Sequence, residues 1–315
     1  MKDFWKDKIV VVTGASGFLG MHVVEKLKTL SPKKLIALSS KKFDLRVYGK
    51  CLKAFKGADV VIHLAGHVGG IGYNQEKPAE LFDDNILMGV NAIKAAKTRG
   101  VKKFVAIGTI CAYPKYTKVP FKESDLWNGY PEETNAPYGL AKKMLLVQSQ
   151  AYRKQYNFNS IFLLPVNLYG PGDNFNEKSS HVIPALIKKF MDAKDKNSKQ
   201  VVIWGSGKPT REFLYVEDAA SAILKAAEKY DKSDPVNIGS GAEISISRLA
   251  KSIAKILKFD GNIVFDKSKP DGQPRRRLNV TRAKKEFGFT AKVKFQIGLK
   301  KTISWYSNQR QKGSI

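Results

Sequence analysis

Acidic side chains are scarce in this 315-residue chain: 28 Asp and Glu stand against 55 Lys and Arg, a formal net charge of +27. Such an excess attracts polyanions, but it runs through both halves of the chain and gathers in no basic tail. Short clusters such as Lys33-Lys34, Lys41-Lys42, Lys188-Lys189 and Arg275-Arg276-Arg277 read mostly as solvated surface, and no specific nucleic-acid partner is expected. Cysteine is nearly absent. Cys51 and Cys111 are too few for a disulfide framework and lack the paired spacing of a zinc site. His22, His63, His67 and His181 fit no metal-binding pattern, so no metal is expected. Missing too is any apolar run near the roughly 20 residues of a membrane helix, and the segment 1–8 has no signal-peptide stretch. A cytoplasmic protein without a membrane partner is the expectation.

What is present is alternation. Short, continuous apolar runs at 8–13, 35–38, 59–64 and 103–108 read as strands covered on both faces. Helical stretches at 21–30, 78–98 and 138–156 separate or follow them. Further strands are expected at 160–164 and 236–239, and helices at 184–193, 216–230 and 245–257. This order implies an α/β protein: a Rossmann-type doubly wound parallel sheet with a smaller α/β substrate-binding domain. Residues 1–170 with 213–239 would form the cofactor domain, and 171–212 with 240–315 the substrate domain. The last residues, 311–315, read as a frayed end.

Directly after the first strand comes Gly14-Ala15-Ser16-Gly17-Phe18-Leu19-Gly20. Glycines at this spacing let the backbone turn tightly and approach a pyrophosphate at a helix N-terminus. Alone such glycines are also plain loop punctuation; in a strand-turn-helix unit they point to a dinucleotide. Enzymes that use NAD usually end the second strand on an acid that bonds the adenosine ribose. Here Ser39-Ser40-Lys41-Lys42 stands instead. Hydroxyls and ammonium groups, Ser40 and Lys41 foremost, suit a 2′-phosphate, so NADP(H) is the expected cofactor. Asp44 could lie near the adenine, or simply be a solvated loop acid.

Tyr138 and Lys142 are four apart, hence on one helix face. An ammonium beside a phenol stabilises the phenolate and makes tyrosine a usable proton donor or acceptor. Thr109, at the end of a sheet strand, can bond the substrate oxygen whose proton Tyr138 handles. The implied chemistry is hydride transfer between a carbonyl or alcohol and a nicotinamide. With these residues the chain resembles the extended short-chain dehydrogenases/reductases. The stretches Gly108 to Lys115, Val68 to Ile71, Asn167 to Phe175, Ser180 to Leu186, Trp204 to Phe213 and Lys269 to Gly272 narrow the resemblance to the GDP-L-fucose synthase family, over nearly the whole chain.

That resemblance implies a 3,5-epimerase and 4-reductase of a GDP-4-keto-6-deoxy-sugar, working as a homodimer. It makes Cys111 and His181 the epimerase pair, His181 also touching the cofactor, with Pro165, Val166, Asn167 and Leu168 along the nicotinamide. Taken alone, a single cysteine after a strand is most often core packing, and a single histidine structural. The resemblance also makes Lys189, Trp204, Arg211 and Asp271 the GDP site, where Trp204 offers a stacking face and Lys189 and Arg211 charge for the diphosphate. Arg276 is a further candidate phosphate contact. Two positions depart from the family: Thr109 stands where serine is usual, and Ile110 replaces a small polar residue, changes that bear on the sugar pocket. A C4 reductase for a GDP-4-keto-deoxyheptose, with or without epimerase activity, therefore stays open. So does a nucleotide-sugar 4-epimerase or dehydratase, although Ile110-Cys111 stands where a dehydratase would carry an acidic pair. The +27 charge leaves one reading of another class, a basic nucleic-acid binder with a vestigial cofactor fold.

Overall fold

The β-branched runs line up at the centre of the molecule. In the computed structural model, which describes residues 2–177, 179–269 and 271–313, α1 (Lys2–Lys6) precedes β1 (Ile9–Thr13), α2 (Phe18–Leu30), β2 (Lys34–Ala37), α3 (Tyr48–Ala54) and β3 (Val60–His63). Next come α4 (Ile71–Glu76), α5 (Pro78–Thr98), β4 (Lys103–Ile107), α6 (Ala136–Tyr156) and β5 (Ser160–Pro165). The chain continues through β6 (Asn167–Tyr169), α7 (Val182–Asp195), β7 (Gln200–Trp204), β8 (Thr210–Tyr215), α8 (Val216–Lys229) and β9 (Val236–Ile238). It closes with β10 (Glu243–Ser245), α9 (Ile246–Leu257), β11 (Asn262–Asp266), β12 (Arg275–Arg276), α10 (Thr281–Phe287) and α11 (Phe295–Gln311).

Six strands form one parallel sheet in the order β2-β1-β3-β4-β5-β9, the doubly wound arrangement expected. β3 and β4 are buried at every position, as strands covered by helices on both faces must be. β2 differs. It was expected to be covered, yet its residues are half-buried or exposed, because it is the edge strand and nothing pairs beyond it. From β1 the chain steps to β2 on one side and then to β3 on the other. That reversal opens a crevice at the carboxyl ends of the strands, where ligands bind in such sheets.

A second unit stands beside those ends. β8 pairs with β10, β12 and β6, and β7 with β11. Their inner faces join α7, α9 and α11 in a separate core that includes Phe190, Ile203, Tyr215, Leu249, Ile253 and Leu299. The chain crosses between the units more than once: Leu278, Ala283, Phe287 and Phe289 return to the core of the large sheet. Glu212, fully buried on β8, ties the segments together. Its carboxylate accepts from Gly241 N at 2.6 Å and Leu278 N at 2.6 Å, so the charge taken from water is met by fixed amide donors. α11 runs to Gln311, and Ser314 and Ile315 of the expected frayed end lie outside the described residues, as does Pro270 of the Lys269 to Gly272 stretch. Among the described residues no helix is long and apolar enough to cross a membrane.

Candidate active site

The glycine loop has the geometry its sequence requires. Gly14 takes a left-handed φ of 64°, and a Cβ there would stand 2.8 Å from Ala65 N; at Gly20 a Cβ would meet Gly14 O at 2.0 Å. Only bare backbone fits. Gly17 caps α2 without any side-chain bond to the helix's first N–H groups, leaving donors and the positive end of the helix dipole for an anion. Ala15 is buried, Ser16 exposed, and Phe18 and Leu19 half-buried. Beside this loop Ser39, Ser40, Lys41 and Lys42 are exposed in a turn closed by Phe43 N on Ser39 O at 2.9 Å. Asp44 does not offer itself to an adenine: Arg46 grips its carboxylate at 2.9 to 3.3 Å and holds it below the usual carboxylate range. With that acid neutralised, the loop presents hydroxyl and ammonium groups, which fits a 2′-phosphate.

Beyond the loop lies the proton-handling group. β4 ends at Ile107, and Thr109 then caps a single 3-10 turn, its hydroxyl accepting from Cys111 N at 3.2 Å. α6 brings Tyr138 against it. The Tyr138 phenol is pushed up by burial and by the neighbouring Cys111, and pulled back by the nearby Thr109 hydroxyl. Lys142, one turn along the same helix, is buried, and burial lowers its pKa to about 8. Its Nζ reaches Ala65 O at 3.5 Å, so the lysine bears on the crevice floor and the phenol is raised, contrary to the lowering expected from the sequence. An ammonium with three donors and one long bond has donors left for a ribose. The floor is set by Thr13: its Oγ1 accepts from Ala65 N at 3.1 Å and shares a hydrogen bond of 2.9 Å with His63 Nδ1. Burial, then the Lys142 charge, lowers His63 to about 3; it is a neutral structural histidine. Next to β4 in the sheet, β5 ends at Pro165, with Val166 buried and Asn167 and Leu168 half-buried.

Cys111 sits in the 3-10 turn, half-buried. Its Sγ–H donates to Asn135 Oδ1 at 3.6 Å, and Arg276 Nη1 donates to Sγ at 3.7 Å. Arg276, a phosphate candidate by sequence, is therefore on the thiol, and Ile110, considered for the sugar pocket, is in the large core. Asn135 stands at the N-cap of α6 without capping it; its amide instead donates to Glu132 Oε2. Neither Asn135 nor Gln273, which accepts from Arg276 Nε, stands out in the sequence. Tyr113 anchors the turn from behind through Asn237 at 2.6 Å. His181 stands exposed at the N-cap of α7.

The expected GDP residues form a strip across the second unit. Register sets Arg211 on β8 beside Arg276 on β12. Burial, then Arg276, lowers Arg211 to about 10, while Asp271 and Cys111 act in the opposite direction. Asp271 accepts from Ser206 N and Ser206 Oγ, each at 2.6 Å. Trp204 is 65% exposed, an unusual state for so large an apolar ring, with Lys189 Nζ 5.6 Å and Lys269 Nζ 5.7 Å from its centre. A continuous path thus leads from Gly14 past Lys142, Tyr138, Thr109 and Cys111 to Arg211 and Asp271. Among the described residues no group of three or more His, Cys, Asp or Glu could hold a metal.

Comparison with known proteins gives the family and the fold. The model of the NAD dependent epimerase/dehydratase family matches residues 10–239. The chain is 40% identical to the GDP-L-fucose synthase of Sinorhizobium fredii, over 96% of each chain. Its fold is similar to a GDP-L-fucose synthetase from Naegleria fowleri bound to NADP, with a TM-score of 0.89, 30% identity and coverage of 98% of this chain and 97% of that one. It is similar as well to a GDP-6-OMe-4-keto-L-xylo-heptose reductase from C. jejuni, with a TM-score of 0.90, 27% identity and coverage of 96% and 99%. The chain belongs to the NAD dependent epimerase/dehydratase family, on the branch of the GDP-L-fucose synthases.

Proposed function

We propose that this protein epimerises a GDP-4-keto-6-deoxy-sugar at C3 and C5 and reduces it at C4 with NADPH, giving GDP-L-fucose. The observation that carries the reading is the cluster at the end of β4: the Tyr138 phenol facing the Thr109 hydroxyl, with Cys111 beside it and Lys142 one turn away on α6. Carbons 3 and 5 flank the C4 ketone, so their protons are acidic. Cys111 and His181 exchange them on opposite faces. NADPH supplies the hydride for C4 when bound. Tyr138 then delivers the proton to the C4 oxygen, Thr109 bonds that oxygen, and Lys142 bonds the nicotinamide ribose. The glycine loop, Ser40 and Lys41 hold the phosphates of the cofactor, Pro165 to Leu168 and His181 line its nicotinamide end, and Lys189, Trp204, Arg211 and Asp271 hold GDP. Residues 1–170 with 213–239 make up the cofactor domain and 171–212 with 240–315 the sugar-nucleotide domain, except that Leu278, Ala283, Phe287 and Phe289 pack into the first and β6 and β8 into the second.

Phe82, Leu87 and Val90 of α5 and Val147 of α6 stay exposed although these helices pack together; a second copy covers them in a homodimer. Two free thiols, one of them catalytic, suit a reducing cytoplasm. The test is incubation with NADPH and GDP-4-keto-6-deoxy-mannose in D2O. NADPH oxidation with deuterium at both carbons is expected; oxidation without deuterium would sink the epimerase, and no oxidation the reductase. A second reading, a C4 reductase of a GDP-4-keto-heptose, rests on the C. jejuni similarity and on the extra methyl of Thr109. A higher kcat/KM on the heptose than on the deoxyhexose would favour it.

A further inference from the structure

We propose that Arg276 is a positioning residue for Cys111: it holds the sulfur in place and supplies the positive charge that lets it remove the sugar C–H proton. The inference rests on the epimerase reading of Cys111 and goes beyond it to the group that equips this thiol. Cys111 lies between an acceptor and a donor of opposite character. Its Sγ–H points to Asn135 Oδ1 at 3.6 Å, and Arg276 Nη1 points to Sγ at 3.7 Å. Both neighbours are fixed from behind. Asn135 spends its amide N–H groups on Glu132 Oε2 and Thr134 Oγ1, so only its oxygen is left for the thiol and for Asn74 Nδ2. Arg276 is bound through Nε by Gln273 Oε1, and Gln273 is itself buried and tied to Lys115 O. The short β12 strand pairs Arg276 with Arg211 of β8 and so fixes the backbone from which the arm extends.

A guanidinium at this distance stabilises anionic sulfur, the form that acts as a base. In the step itself the thiolate takes the proton from carbon, and the C–H electron pair moves into the enolate of the C4 ketone. The sulfur becomes a thiol, and His181 gives a proton to the opposite face. Both groups then re-equilibrate with water. Arg276 forms no bond to the sugar and gives up no proton.

Cys51 makes the test clean. It is fully buried, bonded to Leu45 O, and pushed up to about 12 by burial, so iodoacetamide reads Cys111 in the protein without substrate. In Arg276→Gln the rate of Cys111 alkylation at pH 7, followed by peptide mass, should fall at least about fivefold, and Arg276→Lys should restore most of it. NADPH affinity, measured by fluorescence, should stay unchanged in both variants, which reports an intact fold. Deuterium uptake at C3 and C5 should fall with the alkylation rate. Unchanged alkylation in Arg276→Gln would overturn the inference even if the wild-type protein epimerises. Unchanged alkylation with weakened GDP binding would make Arg276 a phosphate contact instead. A wild-type protein that takes up no deuterium would sink the epimerase reading, while the alkylation arm still judges the Arg276–Cys111 contact.

Discussion

Lys142 and Lys189 are the same side chain put to two uses, and they divide the site. Lys142 is 3% exposed, and burial alone brings it to about 8. Lys189 is exposed, bonded to Val202 O at 3.2 Å and set near the open face of Trp204. On the sheet side of the crevice the protein has taken its chemical groups out of water, which makes their protonation states responsive to neighbours. On the strip side it has left an aromatic face and the lysines Lys189 and Lys269 in solvent, where they bind but are screened, with Arg211 the one desolvated cation among the strip's residues. Reaction and recognition are therefore separable by environment, and substitutions on the two sides should fail differently.

The largest effect belongs to the sheet side. Tyr138→Phe keeps the ring and removes the proton donor, and should lower kcat for NADPH oxidation roughly a hundred- to ten-thousand-fold with NADPH affinity unchanged. A loss in affinity of the same size would erase the distinction between reacting and binding groups. Lys142 comes next. Since its amine loses its charge as pH rises through about 8, kcat/KM should be flat below that value and fall about tenfold per pH unit above it. Lys142→Arg, charged throughout, should carry a lower plateau without that limb. The same alkaline limb in both proteins would assign it to another group.

The strip should behave otherwise. Trp204→Ala removes a stacking face without touching the reacting atoms, so KM should rise about tenfold while kcat stays within about twofold. The loss of affinity should grow with added salt, because the exposed lysine contacts then carry more of the binding and are screened. A drop in kcat would mean that the guanine end also sets the position of the sugar, and that the two regions are one.

The two sides also differed in how legible they were. Strands buried on both faces carry their signature in composition, so β1, β3, β4 and β5 lie within a residue or two of the runs that announced them. Tyr138 and Lys142 were visible because helical spacing alone puts them on one face. β6 and β12, three and two residues long, exist only by pairing with β8, and no local pattern marks them. β7 does show alternation in Gln200–Trp204, but the glycines that follow draw the eye to a turn. Around Cys111 the missing pieces were long-range: Asn135 and Arg276 reach the sulfur from 24 and 165 residues away, and Asn135 gave up the cap its position suggests. Cys111 and His181 themselves were readable only through the family resemblance.

The smallest effect extends the comparison to a group away from the reacting cluster. Asp173 is 7% exposed, accepts from Asn174 N at 2.7 Å through one oxygen, and leaves the other without a partner. Burial raises it from 3.8 to about 7, with the Asn174 bond opposing. The sign of its contribution to stability follows. Between these two values the folded protein binds a proton that the unfolded chain has released, so the protonated carboxyl's advantage is full below about pH 4 and lost as pH rises through about 7. Wild-type Tm should therefore gain on acidification from pH 7.5 to pH 5.5 relative to Asp173→Asn, which has no proton to bind. Equal Tm shifts in the two proteins would show that Asp173 stays charged, and that burial governs protonation only on the sheet side, where a cofactor or substrate is to be met.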